Sequence, residues 1–445
     1  MKKKNLKKLI IKYFSLTTLC LSLFFIHSLS ATTLKDYFPY EYTSLFTNPV
    51  CQTYFYPHAV LANNGELLEH KPSNVYCKND DSIASASREN SPEHKIIEWI
   101  KNPKYQSVFL AYLSFSNDEV KAQLCEEIRN RGLNVTVVLD SGTGRRVADE
   151  LAKCKATPEG PGRAPEILFR GHSGGNGRGV TGFQHNKIMI FESNDKEVGL
   201  IFSSGNLSSG TVLHHENWNF IRTSSDSYFA SAHSCLKKGL LDHYEDRTTF
   251  RTFIDQCRSE IAAPEESDLQ TYFVPGEGSL AEKTIFFQLE NSTEVFLAAH
   301  RLSWTPFMNT LEELLKNKKI ALKIVVDDDL YWSGKLRKQV GLKTTLEAKR
   351  LKKLINAGAQ VHYMETNQKE FLLHHNKFIV FKKNNELLGV FAGAGNFTGT
   401  AFSENFENFY WITIPEVMKS FNQQADHLWD LGTAEEWLPQ EMILP

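Results

Sequence analysis

The feature that most limits how this chain can fold is a short stretch that occurs twice in matched surroundings. His185-Asn186-Lys187-Ile188-Met189-Ile190-Phe191 returns as His375-Asn376-Lys377-Phe378-Ile379-Val380-Phe381, an offset of 190 residues. Each copy leads, 21 residues after its histidine, to a small-residue turn ending in asparagine: Ser203-Ser204-Gly205-Asn206 and Gly393-Ala394-Gly395-Asn396. Upstream, Val108-Phe109-Leu110-Ala111 is answered by Val295-Phe296-Leu297-Ala298, and Leu139-Asp140 by Val326-Asp327, at an offset of 187. Four landmarks in the same order, with apolar strand-like runs alternating with helical patterns, predict a duplicated α/β domain. The fold expected is a pair of α/β/α units related by pseudo-two-fold symmetry.

The first 31 residues stand apart. Lys2, Lys3, Lys4, Lys7, Lys8 and Lys12 precede an apolar run from Leu16 to Leu29, and Ser28-Leu29-Ser30-Ala31 supplies small residues. That order predicts a cleaved secretory signal peptide, and hence a secreted or periplasmic protein. An uncleaved anchor is the other reading. The run is short for a full span and holds Thr17, Thr18, Ser22 and His27, which favours cleavage. Cys20 has no small residue before it, unlike a lipid-attachment site. Loss of the six lysines takes the basic count from 50 to 44 against 52 acidic residues, a formal net of −8. A non-specific grip on nucleic acid calls for the opposite sign.

Six cysteines remain after Cys20: Cys51, Cys77, Cys125, Cys154, Cys235 and Cys257. An even number in an exported chain predicts disulfides. Nearest-neighbour pairing is the simplest of the possible connectivities, and spacing alone does not choose among them. The absence of Cys-x-x-Cys makes a zinc site the weaker reading.

The chain divides into the signal peptide (1–31), an N-terminal extension (32–91) packed on the first unit, and two units, 92–263 and 264–445. In the extension Thr53-Tyr54-Phe55-Tyr56 reads as strand and Asn63-Asn64-Gly65 as a turn. In the first unit, strands are expected at 107–111, 134–140, 186–192 and 198–203. Helices are expected at 117–131, stopped by Gly132, and at about 145–155. The second unit repeats the plan with strands from Glu294 and Ile320 and a helix marked by Leu311, Leu314 and Leu315. Residues 225–275 read as helix and then a linker near Pro264, and the segment after Pro415 as a closing helix.

Histidine and lysine two residues apart on a strand point to one side. A cation, an amide and an imidazole converging on one spot suit an oxyanion, and a doubled set suits a tetrahedral phosphate. This pattern resembles the phospholipase D superfamily, whose signature is His-x-Lys, four residues, Asp, then Gly-Ser-x-Asn. His185, Lys187 and Asn206 match in the first half, and His375, Lys377 and Asn396 in the second. The aspartate is replaced by Glu192 and Lys382, which loosens assignment to a subfamily. Glu216-Asn217-Trp218 and Glu407-Asn408-Phe409 follow the asparagines at similar distances. The resemblance, which covers about residues 95–415, implies that Glu216 orients His375 and Glu407 orients His185. It further implies two-step displacement at phosphorus through a phosphohistidine, with His185 as nucleophile and His375 as acid. No metal or cofactor is expected, because two lysines supply the positive charge.

Other features are weaker. The glycines between Gly171 and Gly182 lack a phosphate-loop ending and read as a rim over the site. Asp327-Asp328-Asp329 reads as a strand end with solvated charges. His214, His215 and His374 are expected to line the site without being ligands. Tyr331-Trp332, at a strand-end loop, is read equally as a substrate contact or as packing. The substrate expected is a phosphodiester, with a phospholipid head group favoured and nucleic acid the alternative suggested by Arg170 and Arg178. A catalytically dead binding module is the third reading. Nothing in the sequence calls for an obligate protein partner, and a monomer is expected.

Overall fold

The computed structural model describes residues 40–48, 52–55, 60–61, 67–68, 73–76, 90–155, 163–171, 182–208, 210–261, 267–339, 343–366 and 372–438. The signal segment, Cys51 and Cys77, the Asn63-Asn64-Gly65 turn, Arg178 with most of the glycine-rich stretch, and the Pro264 linker lie outside the described residues.

The first half is built on seven strands: β1 (Glu41–Thr47), β2 (Tyr105–Tyr112), β3 (Asn134–Asp140), β4 (Glu166–Arg170), β5 (Lys187–Ser193), β6 (Glu197–Ser203) and β7 (Glu216–Ser224). Their order across the sheet is β1-β7-β6-β5-β2-β3-β4. The second half contributes β8 (Leu269–Val274), β9 (Glu294–Ala299), β10 (Ala321–Asp327), β11 (Gln360–Met364), β12 (Lys377–Lys383), β13 (Glu386–Gly393) and β14 (Glu407–Ile412). Those lie in the order β8-β14-β13-β12-β9-β10-β11, with the two-residue strand Thr433–Ala434 added at the far edge. The two sheets therefore match strand for strand. Each has parallel pairing through β2-β3-β4 or β9-β10-β11 and antiparallel pairing elsewhere.

The match extends further than periodicity alone indicates. β1 comes from the expected N-terminal extension, yet it pairs along its whole length with β7 as an edge strand of the first sheet. Its counterpart β8 falls in the stretch read as helix and linker. Both strands are short and flanked by polar residues, so their apolar pattern is weak. The strand expected around 53–56 is seen as Gln52–Phe55, paired with Ser73–Tyr76.

Each central strand is buried on both faces, which is why these runs are apolar throughout rather than alternating. Val108 and Leu110 of β2 face outward to a cluster with Ile96, Trp99 and Leu124, whereas Phe109 and Ala111 face inward. The inward residues of both sheets join one cluster: Phe109, Ile188, Ile190 and Phe202 from the first half meet Phe296, Phe378, Val380 and Tyr410 from the second. Phe202 and Tyr410 stack across this junction with ring centroids 3.6 Å apart. A third cluster lies outside the second sheet around Leu297, Leu311 and Phe391. At about 25 cal/mol per Å² of apolar surface removed from water, the shared middle layer ties the halves into one body.

The helices behave largely as their end signals require. α1 (Pro92–Lys101) begins with proline, and α2 (Asp118–Arg131) is capped by the Asn117 side chain accepting from Val120 N at 2.9 Å. Gly132, with φ 72°, ends α2 in the left-handed conformation that a side chain would strain. The next helix, α3 (Arg146–Leu151), is shorter than the expected 145–155. It has no side-chain cap, and a turn carries Cys154 back to its disulfide with Cys125. The stretch 225–260 forms α4 (Tyr228–Asp242) and α5 (Arg247–Ser259), pinned by Cys235–Cys257. Both disulfides follow the nearest-neighbour pattern. The closing helix is Pro415–Leu431, with Met418, Phe421 and Leu428 buried. Among the described residues, no helix is long and apolar enough to cross a membrane.

Candidate active site

The two motifs meet where the sheets adjoin. His185 and His375 do not lie on the strands, as the two-residue spacing suggested; each sits just ahead of a strand that begins at the lysine. What holds each histidine is backbone pairing with the opposite half. His185 N donates to Phe406 O at 2.9 Å while Phe406 N donates to Phe183 O. In the mirror contact, His375 N donates to His215 O at 3.0 Å while His215 N donates to Leu373 O. Phe406 and His215 each immediately precede a glutamate, so this exchange carries that glutamate to the foreign histidine. Glu407 Oε2 lies 2.8 Å from His185 Nδ1, and Glu216 Oε1 lies 2.9 Å from His375 Nδ1. Both glutamates are fully buried.

Each Nδ1 being held by a carboxylate, the imidazoles are oriented and Nε2 is left as the reacting nitrogen. Lys187 Nζ stands 3.1 Å from His185 Nε2 and donates to His185 O at 3.0 Å. Lys377 Nζ donates to His375 O at 2.7 Å and to Ser204 O, in the first half's asparagine turn, at 3.2 Å. A second lattice of amides crosses the interface. Lys187 N donates to Asn408 Oδ1, and Asn217 Nδ2 donates to Asn376 Oδ1.

The turns that bring in Asn206 and Asn396 need glycine for a spatial reason. A Cβ on Gly205 would fall 1.8 Å from Glu216 Oε2, and one on Gly395 would fall 2.2 Å from the Phe409 ring. The orienting residues thus pack directly on the backbone of these turns. Asn206 Oδ1 and Asn396 Oδ1 are buried and have no hydrogen-bond partner among the described residues. A buried amide without a partner marks a place prepared for a ligand.

The strand-end aspartates that served only as landmarks prove to be framework. Asp140 Oδ2 accepts from Gln184 N at 2.8 Å, and Asp327 Oδ2 accepts from His374 N at 2.9 Å. Each fixes the residue just before a motif histidine. Contrary to the expectation of solvated charges, Asp327 and Asp328 are buried and accept from Thr366 and from Trp332 Nε1. Tyr331 and Trp332 lie in a helix, Asp329–Gln339, with both rings buried, so packing is their role. Arg170 likewise serves the fold: its guanidinium donates to Leu240 O and Phe169 O and lies 3.4 Å over the Tyr244 ring. Glu192, at the family's aspartate position, accepts from Ser107 and pairs with Lys237; against the effect of burial, these hold its carboxyl below the ordinary value.

One site residue went unread in the sequence. His300 follows β9, and its ring centroid is 4.8 Å from that of His375. His214 packs near the same ring, its own centroid 5.6 Å from that of His375 and its Nδ1 3.2 Å from Glu216 Oε1. The offset of 187 residues pairs His300 with Leu113, and that mismatch was the available signal.

Burial dominates the electrostatics. It lowers the His185 pKa below the ordinary imidazole value, with Glu407 opposing and Lys187 adding to the effect. The His375 pKa is held well below that value by burial, then by Lys377, His300, His214 and Lys187. Burial also pushes Lys187 down to about 8, although Glu407 and Glu216 act to raise it, and Lys377 lies well below its usual range, with Lys187 adding to burial. Two cations crowded into a dry site are poised to gain from an incoming anion.

Two histidines, two lysines and two asparagines therefore share one buried site, each histidine oriented from the opposite half. The family described as "Cardiolipin synthase, PLD-like domain" matches residues 288–429, which contain His375, Lys377, Asn396 and Glu407. That match gives the second half a PLD-like domain. Its fold is similar to that of phosphatidylserine synthase from Haemophilus influenzae Rd KW20, at 14% identity and a TM-score of 0.52, over 77% of this chain and 84% of that one. Polyphosphate kinase from Porphyromonas gingivalis is less similar, at 12% identity and a TM-score of 0.47, over 76% of this chain and 44% of that one. Yeast tyrosyl-DNA phosphodiesterase gives 12% and 0.42, over 69% of this chain and 82% of that one. No curated protein sequence matches the chain. The duplicated two-sheet α/β architecture is what this chain shares with that phosphatidylserine synthase fold.

Proposed function

We propose that the chain is an exported, metal-independent phosphodiesterase that hydrolyses a phospholipid head group. The observation that carries the reading is the crossed pairing of His185 with Glu407 and of His375 with Glu216 around two buried lysines. In the first step His185 Nε2 attacks phosphorus, the P–O bond to the leaving alcohol breaks, and His375 gives that oxygen a proton. In the second step His375 takes a proton from water, the oxygen attacks phosphorus, and the P–N bond breaks to release His185. Lys187, Lys377, Asn206 and Asn396 hold the phosphoryl oxygens as charge moves onto them.

Two facts support lipid over nucleic acid. The chain beyond residue 31 is acidic, against the basic balance that phosphate-backbone binding calls for. Arg170, which favoured nucleic acid in the sequence, spends its donors on backbone carbonyls. The test is head-group release from phosphatidylcholine vesicles beside degradation of plasmid and single-stranded DNA, each with EDTA. Head-group release that persists in EDTA and vanishes in His185→Ala is expected. DNA cleavage without lipid turnover would replace the substrate, and dependence on a divalent ion would replace the mechanism.

A further inference from the structure

We propose that His214, Glu216 and His375 form an inhibitory site for a borderline divalent cation, zinc foremost. One donor atom from each of the three lies within 4.8 Å of the others. Both imidazoles converge through Nδ1 on the same oxygen, Glu216 Oε1, at 3.2 and 2.9 Å. Glu216 is fully buried, and its second oxygen, Oε2, has no hydrogen-bond partner among the described residues. Next to this group stands His300, whose buried Nδ1 also lacks a partner among the described residues. Two imidazoles and one carboxylate are the donors that suit zinc, whereas magnesium and calcium favour all-oxygen sets. Three protein ligands leave a fourth position open to water or a phosphoryl oxygen.

Among the described residues the other half has no counterpart. Around His185 the matching positions hold Asn405, which donates to Glu407 Oε1 at 3.0 Å, and Leu113. The site is therefore a product of divergence between the halves.

Coordination requires the lone pair of His375 Nδ1, so the hydrogen on that nitrogen moves to Nε2 of the same ring. The ring then has no lone pair with which to take a proton from water, and giving up the Nε2 proton would leave an imidazolate. A bound ion thus stops the acid–base cycle of His375. This consequence rests on the function proposed above, while the binding itself does not.

The test uses the purified chain freed of metal by EDTA. Titration with Zn²⁺ alone in a calorimeter should show one ion bound per chain. Co²⁺ should give the visible absorption of a four- or five-coordinate nitrogen–oxygen site, and Mg²⁺ no heat. His214→Asn copies the contact that Asn405 makes in the other half. Outer-shell changes at metal sites already cost about tenfold to a hundredfold in affinity, so loss of a direct ligand should cost about a hundredfold or more. Absence of Zn²⁺ binding, or equal affinity in His214→Asn, overturns the site. If that variant does not fold, a weak octahedral Co²⁺ spectrum from the unmodified chain overturns it instead. Zn²⁺ should also arrest diester turnover, reversibly with EDTA. Tight binding with unimpaired turnover overturns the inhibition, whereas binding without turnover of any diester overturns the proposed function and leaves the site standing.

Discussion

The two half-sites carry the same four parts but differ in what surrounds them. On the second side the rings of His214 and His300 both pack near His375; on the first, the matching positions in the sequence hold Asn405 and Leu113. In both, a buried glutamate from the opposite half holds Nδ1. The difference is electrostatic. Burial and both lysines lower both proton affinities; Glu407 opposes them at His185, whereas His300 and His214 add to them at His375. Duplication has kept the geometry that orients each imidazole while letting the neighbours of the two rings diverge.

The sharpest way to break this comparison is to remove each histidine in turn. His185→Ala should lose turnover on the order of 10⁶-fold, as expected of a covalent nucleophile. His375→Ala should lose about 10²–10⁴-fold, and much of that should return on a diester whose leaving group needs no proton. Equal losses on both substrates would erase the distinction between the halves. Asn206→Ala and Asn396→Ala should each lower kcat by about 10²–10³-fold with smaller changes in KM. A loss confined to one asparagine would show that only one half holds the oxygens that gain charge.

Lys187 offers a third handle. A pKa brought from 10.5 to about 8 by burial corresponds to up to about 3 kcal/mol against the charged form. Below about pH 8 the lysine is protonated both folded and unfolded, and the full penalty is present. Between about 8 and 10.5 the unfolded chain binds more protons, so stability rises with pH in that window. Lys187→Met should therefore be more stable than the parent at pH 7, with the gap closing toward pH 10, as read by urea unfolding. A destabilised Lys187→Met would mean that its contacts to His185 outweigh the cost of burial. The smallest effect is on the pH profile. kcat/KM should begin to fall as His375, the proton donor, loses its proton, and by about a further tenfold per pH unit above about 8 as Lys187 loses its own. The acid limb should lie below the ordinary imidazole value, because His185 is depressed. An alkaline limb unmoved in Lys187→Arg would assign it to another group.

Much of this was legible in the chain because strands buried on both faces leave continuous apolar runs, and duplication prints each signal twice. The strands carrying Lys187 and Lys377, the Asn134–Asp140 strand and the Asn117-to-Gly132 helix fall where period and end residues put them. The edge strands Glu41–Thr47 and Leu269–Val274 did not announce themselves, since their place comes from pairing with β7 and β14 rather than from their own pattern. Asp327, Asp328 and Arg170 were misread, and Trp332 was left open between packing and substrate contact, for a common reason. A charged or aromatic residue looks alike in sequence whether it faces solvent or spends its hydrogen bonds on a neighbouring loop.

By itself the sequence determined the repeated α/β frame, the six polar residues that meet at one site and the two glutamates that follow them. Those depend on short-range spacing and on residue chemistry, which a linear string preserves. Only the tertiary structure decided that each histidine is held by backbone and carboxylate from the other half, and that His300 and His214 crowd one histidine and not its twin. The histidine–glutamate contacts join residues more than 150 positions apart, His300 reaches His375 across 75, and their energies come from burial and from charges brought together in space.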